Sequence, residues 1–411
     1  MYKSTGSVEV SYGWVVVFAS LAIHSIGLGA PSMLFVALKP IAADLNTVRA
    51  VPSFAYSLMM VGAGVGGIAM GWWMDKRGII QPVMFGATMI GIGAIVASQA
   101  QGRLSLYLAC GLLIGLLGKA AMIAPLIANA TRWFDRRRGL AVAIISSGQG
   151  VAGALWPSLI RYMNDAYGWR ETFFFYGIFA LATMIPLAWF LRTAPPAAHA
   201  TAAASKQSPA RPFVLGLPPR VVQGAMWLAV IGCCTGMAIP IVHLVSYATD
   251  LGHSSTTAAT MLSVLFVAGF ISRIGFGMLA DRIGAMPTLL IGSACQTVML
   301  VVFANVTGES ALFVAALLFG LGFSGIMPCY ALMIRLFFPV SEAGWRIAAQ
   351  YLFAALGMAL GGWMGGAIFD LTGQYTIAFY IGAGFGVMNF SLIWLLFSRY
   401  RKSDTAVFAA A

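Results

Sequence analysis

Charged residues are scarce in this chain, making up 9% of its 411 residues, and only 12 of them are acidic. An average soluble domain carries about one quarter charged residues, so this scarcity excludes a chain folded mainly in water. Hydrophobic residues make up 60%. They fall into twelve runs of about 20 residues, the length that an α-helix needs to cross a bilayer. The composition predicts an all-α polytopic membrane protein.

The residues that enzymes and metalloproteins need are also missing. The five cysteines lie inside apolar runs without metal-ligand spacing, which indicates packing residues. The sequence has no serine-nucleophile or phosphate-loop motif. The stretch GQGVAG, Gly148 to Gly153, has dinucleotide-binding spacing, but it lies inside an apolar helix with no strand before it. We interpret its small residues as close helix packing, and we expect no enzyme activity, no metal and no cofactor.

The distribution of basic residues predicts the orientation in the membrane. With the N-terminus inside, seventeen of the 24 lysines and arginines fall in inner turns and tails and five in outer turns. Basic residues concentrate on the cytoplasmic side of membrane proteins. We therefore expect both termini in the cytoplasm and the chain in an inner, or plasma, membrane. The net charge of +12 then reflects topology and implies no nucleic-acid partner.

The chain divides into two groups of six predicted helices. The first run is longer than the apolar region of a signal peptide and lacks a cleavage site, so it is interpreted as a retained helix. We expect an N-terminal bundle over 1–191, a cytoplasmic linker rich in Ala and Pro over 192–219, and a C-terminal bundle with a basic tail over 220–411. The predicted helices are 14–38, 51–74, 79–99, 104–131, 139–163, 171–191, 220–248, 256–280, 285–306, 310–337, 344–367 and 375–398.

The two halves repeat each other at a nearly constant offset. The turn after the second helix matches the turn after the eighth, and Asp165 and Gly168 match Asp370 and Gly373. Both copies have the same predicted orientation, as in transporters built from two parallel repeats that rock about a central site. The residues of the repeated turn that we expect to act in gating are Gly71, Asp75, Arg77, Gly78, Gly277, Asp281, Arg282 and Gly284.

These turns resemble the loop signature G-x-x-x-D-R-x-G-R-R of the major facilitator superfamily. Lys76 replaces the first arginine of the signature, and Ile79 and Ile80 replace its closing basic pair. The resemblance covers the whole chain, and it implies the twelve-helix fold with two parallel six-helix repeats.

A narrower resemblance points to the monocarboxylate transporters and their oxalate and formate exchanging relatives. It rests on the stretch Trp133 to Ala141, which contains three successive arginines, and on Arg273 in the middle of the eighth helix. In that branch this arginine binds the substrate carboxylate, and the resemblance implies the same role for Arg273. Gly269 stands where animal monocarboxylate transporters have an aspartate. Gln350 and Tyr351 stand in the eleventh helix, where oxalate exchangers have a second cation.

Two cations lie at mid-membrane in the predicted helices, Lys119 in the fourth and Arg273 in the eighth, whereas all acidic residues fall in tails, turns or helix ends. A charge at membrane depth indicates function by default. We expect one substrate carboxylate to use both cations. Burial disfavours a charged amine and a bound anion favours it, so Lys119 is also a candidate for carrying a proton. The structural alternatives are a lysine bonded to carbonyls or water, and an arginine that snorkels to the interface.

Four further residues complete the predicted binding site. His24 is midway along the first helix, Leu28 lies one turn later on the same face, and Tyr330 and Tyr351 lie in the tenth and eleventh helices. His24 is also a proton-coupling candidate, because histidine titrates in the physiological range. Helix packing is the alternative role for each of these residues.

The sequence thus predicts a secondary transporter that moves a small organic anion by alternating access. The expected substrate is a monocarboxylate such as lactate or pyruvate, which moves together with a proton. We expect the carrier to act as a monomer in the lipid bilayer. The alternatives are a dicarboxylate or aromatic-acid carrier, an anion exchanger, and a membrane sensor that binds its ligand without moving it.

Overall fold

A computed structural model describes residues 10–130, 132–134, 137–193 and 214–409. Most of the predicted linker, 194–213, lies outside this part of the chain, as does Arg136 of the basic stretch. For Asp75 of the repeated turn, the backbone position alone is described.

The first six membrane helices occupy residues 12–189. They are α1 (Tyr12–Gly27 and Gly29–Val36), α2 (Ala50–Arg77), α3 (Ile80–Ser98), α4 (Arg103–Tyr107, a π-helix over Leu108–Gly118, a 3₁₀ turn over Lys119–Ala121, and Ala124–Ala130), α5 (Arg138–Ser146 and Gly148–Tyr167) and α6 (Trp169–Trp189). A short helix, Leu38–Asp44, precedes α2.

The other six follow the linker. They are α7 (Pro219–Asp250), α8 (Ser255–Ile283), α9 (Ala285–Asn305), α10 (Glu309–Phe323 and Ile326–Phe337), α11 (Val340–Thr372) and α12 (Thr376–Ala409). The last helix extends past its apolar run into the basic tail.

The predicted fold class is confirmed. Within the described residues, 12 helical segments are long and apolar enough to cross a membrane. A helix suits this environment because it satisfies its backbone hydrogen bonds internally, where a bilayer offers no water. Large apolar side chains such as Ile68 and Ile274 are exposed on the protein surface, as expected when the solvent is lipid.

Positive-φ glycines show why the repeated sequence pairs coincide. Gly78 ends α2 with φ +79°, and Gly284 follows α8 with φ +90°. Gly168 and Gly373 end α5 and α11 with φ +86° and +74°. Only glycine adopts this conformation without a side-chain penalty, so each pair marks the same helix stop in both halves.

The described chain forms two compact units, which do not divide at the linker alone. The first takes residues up to Thr47 and from Leu58 through 193. The second takes Val48–Ser57 together with the residues from 214 onward. The first turns of α2 are therefore part of the second unit.

Candidate functional site

The two cations predicted at mid-membrane, Lys119 and Arg273, lie in different units, and each lies in or beside an interrupted helix. α4 changes from a π-helix over Leu108–Gly118 to a 3₁₀ turn over Lys119–Ala121, so Lys119 is the first residue of the tighter turn. π-Helical turns inside α-helices are rare, and many of those that occur lie at functional sites. The sequence prediction of one continuous helix over this run missed the change.

α2 packs closely against the part of α4 that has an irregular backbone. A side chain on Gly66 would lie 2.1 Å from the carbonyl oxygen of Leu116, within the π-helix. The Lys119 ammonium lies 3.4 Å from the sulfur of Met60, also on α2, and the residue is half-buried. A thioether is a weak acceptor with no charge, so this contact positions the amine without neutralising it.

His24 is buried in α1 against α5. A side chain on Gly148 would come within 2.9 Å of Cδ2 of His24, so the glycine makes this approach possible. Ser25 donates to the Gly148 carbonyl at 3.2 Å, and the Trp156 indole donates to the Ser25 carbonyl at 2.8 Å. Gly148, the first residue of the GQGVAG stretch, thus serves helix packing. Leu28 lies at the break in α1, where its carbonyl accepts from Ser32.

Arg273 lies in α8 beside the break in α10. Its Nη2 donates to the Ser324 hydroxyl at 3.2 Å, and Ser324 is one of the two residues that interrupt α10. The preceding residue, Ser272, donates a short hydrogen bond to the Leu321 carbonyl. Two successive residues of α8 therefore bind α10, one at Leu321 in the last turn before the interruption and one at the interruption itself.

The two predicted tyrosines have different surroundings. Tyr351 is 52% exposed, and its phenol interacts electrostatically with Arg273. Tyr351 therefore remains a candidate residue of the binding site. Tyr330 is fully buried in α10, and its hydroxyl lies 3.3 Å from Oδ1 of the buried Asn389. Tyr330 therefore makes the contacts of a packing residue.

The sequence reasoning missed Met60, Ser272 and Ser324. A serine followed by glycine inside an apolar run is a known signature of a helix interruption, so Ser324-Gly325 carried a signal. Methionine has no comparable signal, because its contact with Lys119 depends on the packing of α2 against α4.

A polar cluster assembles in the second unit from residues that are far apart in the sequence. Arg49 binds both carboxylate oxygens of Asp250, with Nη2 to Oδ1 at 2.9 Å. The Arg49 guanidinium also lies 3.6 Å from the centre of the Phe369 ring and donates to the Tyr375 hydroxyl at 3.2 Å. We call Arg49, Asp250, Asp370 and Tyr375 the outer cluster, because the predicted topology places Arg49 in an outer turn.

The protonation states of the outer cluster follow from these contacts. Burial lowers the pKa of Arg49, but its bonds to Asp250 and Tyr375 outweigh burial, and the pKa lies above its ordinary value. Burial raises the pKa of Tyr375 to about 12, against the opposing effect of the Arg49 charge. The cluster therefore holds a permanent guanidinium and a neutral phenol at physiological pH.

Metal binding has no support among the described side chains, which form no group of three or more histidine, cysteine or acidic residues able to hold an ion. At the repeated turns, Arg77, Asp281 and Arg282 are exposed at the ends of α2 and α8. Side chains added at Gly71 or Gly277 would meet nothing within 4 Å.

Within the described residues, twelve helical segments long and apolar enough to span a membrane, with basic residues such as Lys119 and Arg273 inside them, define an integral membrane protein. The sequence matches the profile of the Major Facilitator Superfamily over residues 17–304 and 226–409. The chain belongs to this family. The expectations of a multi-pass membrane protein and of a transporter rather than an enzyme are thereby confirmed.

Individual relatives agree with this family. Monocarboxylate transporter 11 of Mus musculus is 28% identical over 418 residues, covering 96% of this chain and 89% of that protein. Monocarboxylate transporter 4 of Rattus norvegicus is 24% identical over 396 residues, covering 94% and 83%. The resemblance to monocarboxylate transporters is thus confirmed.

Solved structures agree on the fold. A bacterial homolog of the human lysosomal transporter Spinster, in an inward-facing and occupied conformation, superposes with a TM-score of 0.77 at 12% identity, covering 96% of this chain and 98% of that one. At this identity the likeness concerns the fold alone.

Proposed function

We propose that this transporter moves a small monocarboxylate, together with a proton, by alternating access. The observation that carries the proposal is the Arg273 guanidinium, half-buried in the middle of α8 and directed to the interruption of α10. A guanidinium presents five donors in a rigid fork that matches the two oxygens of a carboxylate. The likeness to monocarboxylate transporters supports the same substrate class.

Lys119 is the proposed proton carrier. It lies at a change of helix type, and its amine contacts the neutral sulfur of Met60. In the empty carrier, burial favours the neutral amine, and a bound carboxylate favours the charged one. One proton would then move with each anion. His24, packed on Gly148, is the second candidate for this role.

The test is uptake of labelled lactate, pyruvate, acetate, succinate and benzoate into proteoliposomes, with and without an inward proton gradient. We expect gradient-driven uptake of a monocarboxylate by the wild type and its loss in Arg273→Ala. Arg161→Ala is the matched control, since Arg161 is also inside a membrane helix but is paired with Asp165 one turn later. It should transport like the wild type.

Each other outcome changes the conclusion. Uptake of succinate or benzoate instead would favour the dicarboxylate or aromatic-acid carrier, and flux that requires a counter-anion would favour an exchanger. Binding without flux into sealed vesicles would indicate a sensor. Undiminished uptake by Arg273→Ala would refute the role of Arg273.

We also propose a plasma-membrane location with both termini in the cytoplasm, supported by the excess of basic residues in the inner turns. A reporter fused after residue 411 that is active only in the cytoplasm tests it. An inactive cytoplasmic reporter with an active external one would contradict this orientation.

A further inference from the structure

Two neighbouring residues of α8 bind α10 in different ways, one just before its interruption and one at it. Ser272 donates to a backbone carbonyl, that of Leu321, and so ties the two helices together. Arg273 donates to a side chain, the Ser324 hydroxyl, at 3.2 Å. The first bond fixes the backbones, and the second fixes the direction of a long, charged side chain.

A glycine one helical turn before Arg273 leaves room for that hydroxyl. On an α-helix, residues i and i+4 lie on the same face, so Gly269 and Arg273 both face the interruption. A Cβ at Gly269 would lie 3.2 Å from Cβ and 3.3 Å from Oγ of Ser324. Both distances are tighter than ordinary contact, so a larger residue at 269 would displace the hydroxyl that Arg273 binds.

We propose that Ser324 is a positioning residue that holds the Arg273 guanidinium in the orientation that receives the substrate carboxylate, and that Gly269 provides the space for it. This inference rests on the proposed function of Arg273. An arginine side chain loses rotamer freedom when it binds, and a fixed hydroxyl removes part of that loss before the substrate arrives. A hydroxyl carries no charge, so it orients the guanidinium without competing for its charge.

The experiment compares KM and maximal uptake rate in proteoliposomes for Ser324→Ala, Gly269→Ala and two controls. Ser272→Ala removes the neighbouring bond from α8 to α10, at the Leu321 carbonyl, and leaves the hydrogen-bonding atoms of Arg273 and Ser324 in place. Gly275→Ala adds the same methyl group to the same helix at a position where it meets nothing within 4 Å.

A positioning role predicts that Ser324→Ala raises KM about tenfold, the effect of losing one hydrogen bond to a charged group, while the maximal rate changes little. Gly269→Ala should raise KM in the same direction by a smaller factor. Ser272→Ala should lower the melting temperature with KM unchanged, and Gly275→Ala should match the wild type. A wild-type KM for Ser324→Ala, in a carrier that Arg273→Ala inactivates, would overturn the positioning role and leave the proposed function standing.

A second measurement keeps the inference testable if Arg273→Ala does not impair uptake, the result that would refute the proposed function. Melting temperatures of purified Ser324→Ala, Arg273→Ala and the double variant form a double-mutant cycle that needs no substrate. Shifts that are less than additive would support the contact by which Ser324 positions Arg273. Additive shifts would overturn it, whatever the transporter carries.

Discussion

Asp370 binds Arg49 through the backbone. Its Oδ1 accepts from the Arg49 amide at 2.9 Å, and its Oδ2 accepts from the next amide, that of Ala50, at 2.6 Å. These amides begin α2, where N–H groups have no partner within the helix and the helix dipole favours a negative charge. Asp370, at the end of α11, therefore caps α2 from another helix, while the Arg49 guanidinium binds Asp250.

We expect Asp370→Ala to lower the stability of the protein by about 1–2 kcal/mol, the usual effect of losing a helix cap. The melting temperature in detergent measures it. Asp165→Ala is the matched control, since Asp165 aligns with Asp370 in the repeat but is itself exposed and pairs with Arg161, and pairs near the surface contribute about 0–1 kcal/mol. Equal melting temperatures for the two variants would contradict the capping role.

The outer cluster predicts a stability that falls at alkaline pH. Burial raises the pKa of Tyr375 from 10.0 to about 12, so between these values the unfolded chain loses the phenol proton and the folded chain keeps it. The unfolded state then binds fewer protons, and stability falls as pH rises, by up to about 1.4 kcal/mol per pH unit.

Comparing Tyr375→Phe with the wild type isolates the contribution of the Tyr375 phenol to the pH dependence of stability. Phenylalanine cannot titrate, so the variant, which loses the Arg49 contact, should be less stable than the wild type at pH 8. The difference in melting temperature should shrink between pH 10 and pH 12. A difference that stays constant over this interval would show that Tyr375 does not keep its proton.

Lys119→Gln should abolish the proton-driven component of uptake while anion exchange persists, because the amide cannot take up a proton. The initial uptake rate with and without a pH gradient measures this component. Met60→Leu is the control, since it removes the sulfur that contacts the amine but keeps the titratable group. Full gradient-driven uptake by Lys119→Gln would transfer the proposed role to His24 or to another residue.

Gly148→Ala should destabilise the packing of α5 against α1 by about 1–3 kcal/mol, the range for overfilled cores. Its methyl group would lie 2.9 Å from His24 Cδ2 and 3.3 Å from the Leu21 carbonyl oxygen. Gly67→Ala, whose nearest contact is at 3.9 Å, should be neutral or stabilising. Equal melting temperatures for the two variants would show that α1 and α5 do not approach each other closely at Gly148.

Hydropathy predicted the twelve spans because each run has to be long and apolar, whatever its internal hydrogen bonding. It missed the interruptions at Leu28, in α4 around Gly118 and at Ser324, because hydropathy depends on the side chains and these changes lie in the backbone. Arg273 and Lys119 stood out as isolated charges. Met60 did not, because a methionine in an apolar run has no distinctive pattern. Ser324-Gly325 has the pattern of a helix interruption, but this pattern does not indicate the contact of Ser324 with Arg273.

The outer cluster escaped prediction for a different reason. Arg49, Asp250 and Asp370 each lie in a short turn or at a helix end, where a charged residue is ordinarily solvated. Their separation along the chain exceeds 100 residues, and only the folded second unit brings them together. Local sequence patterns, such as helical periodicity, contain no information on contacts between residues so far apart in the chain.

The membership of Val48–Ser57 in the second unit has a consequence for how this protein can be made in pieces. A fragment beginning at α7 would contain Asp250 and Asp370 but neither the guanidinium nor the amides that bind them. The carboxylates of Asp250 and Asp370 would then lack the hydrogen-bond donors that they bind in the intact protein. Co-expressed halves split at the linker should accumulate only together, and a C-terminal fragment extended by a copy of the first turns of α2 should survive degradation better than one without it.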